Sequence, residues 1–319
     1  MRKETYILGL DIGGTKCSTV TAAIDGERIE ILKKASVSTD HSKAPADTID
    51  ALFACADGIL EGRPDAIGIS CGGPLDSSRG VIMCPPNLTD WDNIEITALA
   101  ESHFGVPARL LNDANAGALA EWRFGAGRGC KNMIFMTFGT GLGAGLILNG
   151  RLYEGTNGNA GEVGHIRLAE MGPVGYGKSG SFEGFCSGGG IAQLGYTLAL
   201  EALQSGASPA YFKEGMTASD ITARSIAEAA MSGDPTAREV YRVSGEYLGR
   251  GLSLLIDLLN PEVIAIGSIF ARSHGLLWEA AQKAIQRDAL PFSSRVCRIV
   301  PAELGEGIGD YAAIDAALK

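Results

Sequence analysis

The sequence lacks any run near the roughly 18 apolar residues that a membrane-spanning helix needs. It has no C-x-x-C pair: its seven cysteines, at 17, 55, 71, 84, 130, 186 and 297, are odd in number and widely spaced. That excludes a disulfide framework and points to free, mostly buried thiols in a reducing compartment. It has no basic excess, with 27 Lys and Arg against 37 Asp and Glu and a net charge of −10. Such a chain repels a polyanion, so broad nucleic-acid binding is not expected, although backbone N–H groups can still hold a phosphate. Met1-Arg2-Lys3-Glu4 is charged, but the apolar run after it stops at Asp11, too short for a secretory signal. A cytoplasmic protein without a membrane partner is expected.

What the sequence has in plenty is glycine, 44 of 319 residues, about twice the usual share. The glycines fall in short runs between apolar segments, the pattern of tight turns and of backbone that approaches a ligand closely. Residues 5–36 read as three strands, with Asp25-Gly26 as a hairpin turn signal. Helices are expected over 44–61, 94–104, from Asp113 to about Phe124, over 273–288 and over 310–318. DAIGIS (65–70), ARLL (108–111), NMIFMTFG (132–139) and PEVIAIG (261–267) read as strands. Residues 132–148 repeat the layout of residues 5–24, strand, Gly-rich turn with Thr, strand, which suggests an internal duplication of fold. Asp234 caps a helix with Pro235 in first position, and Leu248, Leu252, Leu255 and Leu259 share one face of it.

Three glycine motifs compete for a phosphate. Asp11-Ile12-Gly13-Gly14-Thr15-Lys16 offers backbone amides, a hydroxyl and an acid that can hold Mg²⁺ through water; a plain hairpin turn is the rival reading. Gly139-Thr140-Gly141-Leu142-Gly143-Ala144-Gly145 is followed by a strand, whereas a dinucleotide fingerprint needs a helix there, so a phosphate-clamping hairpin or a simple turn fits better. Gly172-Pro173-Val174-Gly175-Tyr176-Gly177-Lys178-Ser179 matches the P-loop string letter for letter. A P-loop, however, needs a helix to leave at once, and Gly180, Gly184 and Gly188-Gly189-Gly190 interrupt one.

Asp113 ends a strand beside Asn112. It fits two roles, cap of the next helix or an acid facing the crevice where ligands bind in α/β folds. Asn87, Glu162, His165 and Glu183 are each ordinary surface or capping residues singly, but together form a polar set suited to sugar hydroxyls.

At this point the chain resembles the ROK family (repressors, open reading frames and kinases) of the actin-like ATPase and hexokinase superfamily. The likeness covers nearly the whole length. It rests on LGLDIGGTK, GISCGGPLD (68–76), PPNLTDW (85–91), LLNDANAGALAEW (110–122), FGTGLGAGLILNGRLYEG (138–155), GNAGEVGH (158–165) and NPEVIAIG (260–267). The resemblance implies an α/β protein of two actin-like, ribonuclease H-like lobes with a central cleft. The first lobe spans 1–115, with the final helix of about 306–319 packed back on it, and the second spans 116–305. It implies an ATP- and Mg²⁺-dependent sugar kinase with Asp113 as general base. Gly73, Asn87, Asn112, Glu162, His165 and Glu183 would hold the sugar, a hexose or N-acetylhexosamine. Asp11, Gly13, Gly14, Thr15, Lys16, Thr140 and Gly141 would line the nucleotide phosphates, with Mg²⁺ near Asp11 and Gly267 near the adenosine. A homodimer is implied as well.

The departures from the family pattern are specific. The usual zinc loop, C-x-C-G-x-x-G-C, has lost its cysteines to Val174, Tyr176 and Ser181. Only His165 remains of the four ligands that a structural zinc needs, so no zinc is expected. The usual Pro-Gly-Pro reads Gly72-Gly73-Pro74, and the usual glycine after Gly267 is Ser268. Only ten residues precede Asp11, too few for a DNA-binding domain, which argues against a repressor. A non-catalytic sugar-binding regulator and a P-loop NTPase using Gly172–Ser179 remain as alternatives.

Overall fold

The structure is a computed structural model that describes residues 4–26, 28–213 and 215–318. Met1–Lys3, at the start of the expected first lobe, and Lys319, at the end of the expected last helix, lie outside the described residues. In chain order the first half holds β1 (Thr5–Ile12), β2 (Lys16–Asp25), β3 (Arg28–Ser38), α1 (Pro45–Asp57), β4 (Ala66–Cys71), the short pair β5 (Leu75–Asp76) and β6 (Val81–Ile82), α2 (Ile96–Phe104), β7 (Ala108–Asn112) and α3 (Asp113–Phe124). The second half holds β8 (Met133–Phe138), β9 (Leu142–Leu148), β10 (Arg151–Leu152), β11 (Val174–Gly175), β12 (Lys178–Ser179), α4 (Phe182–Phe185), α5 (Gly188–Gln204), α6 (Ala223–Met231), α7 (Pro235–Leu259), β13 (Val263–Ile266), α8 (Ile269–Arg272), α9 (His274–Asp288), α10 (Pro291–Ser294), β14 (Arg298–Pro301) and α11 (Ile308–Ala316).

Two five-stranded sheets organise the chain, in the orders β3-β2-β1-β4-β7 and β10-β9-β8-β13-β14. Each is a three-strand antiparallel meander followed by two parallel strands. The duplication suggested by the sequence is therefore visible as matching topology, although the letters of the two halves hardly agree. Strands β1, β4 and β13 are near-continuous apolar runs because helices cover both faces of the parallel part.

Two alanine-rich helices, α3 and α11, lie at the junction of the sheets and share an apolar cluster that includes Ala116, Leu119, Ala312 and Ala316. Helix α11 sits flat on the first sheet where Gly9 and Gly68 pair across β1 and β4. A Cβ on Gly68 would fall 1.9 Å from the Ala313 carbonyl oxygen, so only glycine admits the helix. In the same way α3 presses on β9, where a Cβ on Gly145 would meet the Ala114 oxygen at 2.3 Å. Asp234 caps α7, accepting from the Ala237 N–H at 2.8 Å; Leu248, Leu252 and Leu255 on that helix are buried and Leu259 half-buried.

The cysteines are less buried than expected: Cys17, Cys71 and Cys186 are buried, Cys55, Cys130 and Cys297 half-buried and Cys84 exposed, all of them free thiols. No helix of the described residues is long and apolar enough to cross a membrane.

Candidate active site

The C-terminal ends of β1, β4 and β7 bring Asp11, Ser70 and Asn112 onto one edge of the first sheet, with Asp11 opposite Ser70 and Cys71 opposite Asn112. An open α/β sheet binds its ligands beyond that edge. The cap of α3 is Asn112, whose Oδ1 accepts from the N–H groups of Ala114 (3.0 Å) and Asn115 (3.4 Å). Asp113 is the first helical residue instead, with Oδ1 accepting from the Ala114 N–H at 2.8 Å. The helix does not need Asp113 as its cap.

The Asp113 side chain meets solvent in the open cleft, yet protein crowds its carboxyl on the other sides. That crowding holds its pKa above the usual carboxylate range, against the backbone hydrogen bonds that lower it. Asp11 is pushed up to about 6, by burial first and then by the charge of Asp113; Asp310 adds to this, while Ser70 and Lys16 oppose it. Glu162 is raised by burial first and then by Asp113 and Glu183, with His165 opposing. Asp113 thus stands within electrostatic reach of the phosphate-turn acid Asp11 and of Glu162, which in turn feels Glu183 and His165.

The turn Gly13–Thr15 joins β1 to β2 and is pinned from outside. The Thr39 hydroxyl donates to the Gly13 carbonyl at 2.6 Å, and the His41 ring nitrogen lies 2.6 Å from the Gly14 carbonyl. A Cβ on Gly14 would fall 2.3 Å from the Asn87 oxygen, so the phosphate turn and the Asn87 loop touch. Thr15 and Lys16 are exposed. On the other side of the cleft Gly139 and Gly141 close the β8–β9 hairpin, and Glu183 Oε2 accepts from the Leu142 N–H at 3.0 Å. Glu183, expected on the sugar, has one oxygen tied to this hairpin. The Asn112 Nδ2 stands 3.2 Å from where a Cβ on Gly73 would be, so Gly73 also borders the site.

A cavity of about 1060 Å³ opens beside this hairpin, lined by Gly139, Thr140, Gly188, Gly189, Ser268 and Arg272 among others. Gly267 does not line it. It is buried, with its N–H donating to the Met136 carbonyl and its α-carbon turned toward Phe135, while Ser268 beside it faces the cavity. Ser268 has φ +56°, in the left-handed region that glycine tolerates best. The fold therefore favours glycine where this chain has serine. Asp310, near Asp11, and the Gly188-Gly189 lining were missed from the sequence. The glycine run was the available signal, read there only as an interruption of a helix.

The P-loop string forms no P-loop. Val174–Gly175 and Lys178–Ser179 pair as an antiparallel hairpin, and its two turn residues, Tyr176 and Gly177, both have positive φ (43° and 73°), as a tight two-residue hairpin turn requires. Lys178 Nζ donates to the His165 carbonyl at 2.7 Å. The next helix, α4, starts only at Phe182 and is one turn long. Val174, Tyr176 and Ser181, at the family's cysteine positions, leave the loop to other fastenings. The Tyr176 ring stands edge-on to His165, Gln193 bonds both the N–H and the carbonyl of Val174, and Arg167 donates to the Ser179 carbonyl.

Among the described residues no three His, Cys, Asp or Glu side chains are grouped to hold a metal. Magnesium asks for less, one or two carboxylates with the substrate's phosphates and water. Asp11 at the cleft edge fits that need, since a nearby divalent cation favours its anion against the burial and the Asp113 charge that raise its pKa, whereas Asp310 is already paired with Lys34 at 2.7 Å.

Comparison with known proteins identifies the family and the fold. The family model described as "ROK family" matches residues 7–318. A glucokinase of Halalkalibacterium halodurans is 32% identical over 314 residues, covering 96% of this chain and 93% of its own. A ROK family glucokinase from Streptomyces griseus, solved with glucose and AMPPNP, is 32% identical with a TM-score of 0.79, over 98% of this chain and 99% of that one. A ROK family transcriptional regulator is 26% identical with a TM-score of 0.81, over 98% of this chain and 78% of its own. The span matched by the family model and the relatives at 32% identity over nearly the whole chain show that the chain belongs to the ROK family, with its actin-like fold of two lobes.

Proposed function

We propose that the chain is an ATP-dependent sugar kinase that transfers the γ-phosphoryl group to a hydroxyl of a hexose or N-acetylhexosamine, with Asp113 as general base. The observation that carries this reading is the position of Asp113. It is exposed at the C-terminal edge of the first sheet, freed from capping by Asn112, and its charge reaches both Asp11 of the phosphate turn and Glu162. The glucokinase relatives and the glucose–AMPPNP complex of one of them support it. In this reading residues 1–115, with the last helix, form one lobe and 116–305 the other. Gly73, Asn87, Asn112, Glu162, His165 and Glu183 surround the sugar. Gly13, Gly14, Thr15, Lys16, Thr140 and Gly141 grip the phosphates, with the adenosine in the cavity that Ser268 faces, and Gly267 behind it as buried backbone. Magnesium, held near Asp11, would neutralise charge on the transferring phosphates. The loop 172–181 carries no zinc, and the working protein is a cytoplasmic homodimer.

Asp113 takes the hydroxyl proton as the oxygen attacks phosphorus in line with the leaving ADP. Closure of the lobes excludes water, the competing acceptor. A coupled ADP-release assay over a panel of hexoses and N-acetylhexosamines tests the reading, which fails if no sugar stimulates release. The regulator of the same fold is the second reading, because a regulator superposes as well as the glucokinase does. It binds a sugar and releases no ADP.

Two further outcomes follow. Lys178, bonded to a carbonyl of its own loop, touches no phosphate in this arrangement. Lys178→Ala is therefore expected to change kcat by less than about 3-fold, the scale of a surface substitution; abolished turnover would restore the P-loop alternative. The pH dependence has a defined sign. Both Asp11 and Asp113 work as anions and both pKa values are raised, Asp11 to about 6. Protonation therefore removes activity as pH falls, and kcat/KM, which reports the free enzyme, should decline below about pH 6. A flat profile down to about pH 4.5, close to the ordinary carboxylate range, would contradict the assignment.

A further inference from the structure

The chain passes between its two sheets twice, and the two crossings meet at one buried carboxylate. The first crossing runs from β7 through α3 and residues 125–132 into β8; the second runs from β14 through residues 302–307 into α11. Glu121, near the end of α3, is 0% exposed. Its Oε2 accepts from the N–H of Ala126 (2.8 Å), on the first crossing, and of Glu303 (3.2 Å), on the second. Its Oε1 accepts from the N–H of Leu304 at 2.8 Å, again on the second. The Glu121 carbonyl also receives the N–H groups of Gly125 and Gly127. The wrap is tight enough that a Cβ on Gly125 would fall 2.1 Å from Oε2.

No cation pairs with Glu121 among the described residues. A buried carboxylate held by backbone N–H groups alone is costly to desolvate, and an apolar residue fills such a space more cheaply. What an apolar residue cannot do is accept three N–H groups from two separate stretches of chain. Two more ties join the same pair of crossings, Arg123 to Asp315 between α3 and α11, and Arg128 to Glu303 at 2.8 Å. Any change in the angle between the lobes must flex both crossings, and these ties oblige them to flex together.

We infer that Glu121 is the pin of a single interlobe hinge, a positioning residue that couples the two crossings so that the lobes close about one axis. The inference rests on the kinase reading only in taking closure to serve turnover; the closure itself can be measured without it. Glu121 touches neither the cleft nor any residue placed around the sugar or phosphates. Its loss should therefore spare binding and impair the step that needs a closed cleft.

The test is small-angle X-ray scattering of the full chain, alone and with glucose and Mg-AMPPNP, alongside steady-state kinetics and glucose binding by calorimetry. In Glu121→Gln the amide nitrogen cannot accept an N–H, so at least one tie is lost. A second variant, Leu304→Pro, keeps the carboxylate and removes one donor, at a residue whose φ of −73° proline shares. The wild type should compact on adding both ligands. Both variants should hold glucose within about 3-fold of wild type, lose at least half of the compaction and lose about 10-fold or more in kcat. If Glu121→Gln does not fold, Leu304→Pro decides. A wild type that does not compact, or a folded variant with wild-type compaction and kcat despite a lower Tm, overturns the hinge. A wild type that compacts and releases no ADP defeats the kinase reading instead, and the hinge then stands or falls on the variants' compaction.

Discussion

Asp113→Asn is expected to lower sugar-dependent turnover by at least about 100-fold while leaving sugar affinity within about 3-fold, because general-base help is worth roughly 10²–10⁴ in rate. The substitution is close to isosteric. Its oxygen can still accept from the Ala114 N–H, and the helix keeps its cap, since Asn112 provides it. Folding and the shape of the cleft are therefore preserved. What is lost is an oxygen that can take up a proton, together with a negative charge that raises both Asp11 and Glu162. Removing it should bring the Asp11 pKa down, so the variant's residual kcat/KM should also keep its value to lower pH than the wild type's. ADP release at saturating sugar, paired with calorimetric sugar binding, measures both halves; near-normal kcat would remove Asp113 from the role.

Gly68→Ala is expected to destabilise the protein by about 3 kcal/mol, the upper end for overpacking a close contact. The added methyl would meet the Ala313 oxygen at 1.9 Å and the Ala317 nitrogen at 2.6 Å, both backbone atoms of the last helix and its end. No rotamer relieves that clash, so α11 must lift from the sheet. The lift would reach the site, because the first turn of α11 lies on Asp11: a Cβ on Gly309 would stand 2.7 Å from Asp11 Oδ2. Gly72→Ala is the control. Nothing lies within 4 Å of its added methyl and its φ is not in the left-handed region, so a change within about 0.5 kcal/mol is expected. Urea unfolding midpoints of the two variants, compared with wild type, check the contrast. Equal midpoints would mean that α11 is not held at Gly68.

The sequence was legible where local chemistry is periodic or punctuated. The first strand running into the Asp11–Gly14 turn, the Gly105 stop after α2, the Asp234-Pro235 start of α7 and the repeated strand–turn–strand hairpins all follow from patterning that needs no distant partner, whereas the parallel pairing of β13 with β8 and β14 does not. The choice between Asn112 and Asp113 as helix cap was not legible, since both residue types cap well and only side-chain geometry separates them. Nor could local sequence show that Asp310 approaches Asp11 from the far end of the chain, or that Glu183 reaches the Leu142 N–H forty-one residues away. The P-loop string shows the same limit from the other side. Its letters are right, and its meaning was decided by Tyr176 and Gly177 turning a hairpin where a helix would have to begin. Glu121 carried no signal at all, for a glutamate in a helical pattern is ordinary until three N–H groups from two crossings are found on it.

The most direct measurement is the product itself. The wild-type chain, incubated with Mg-ATP and the sugar that most stimulates ADP release, should be followed by ³¹P nuclear magnetic resonance. A sugar phosphomonoester should appear one-for-one with ADP, without build-up of inorganic phosphate, and the Asp113→Asn variant should be silent on the same timescale. ADP accompanied only by inorganic phosphate, or a bound sugar that never becomes phosphorylated, would contradict the kinase reading.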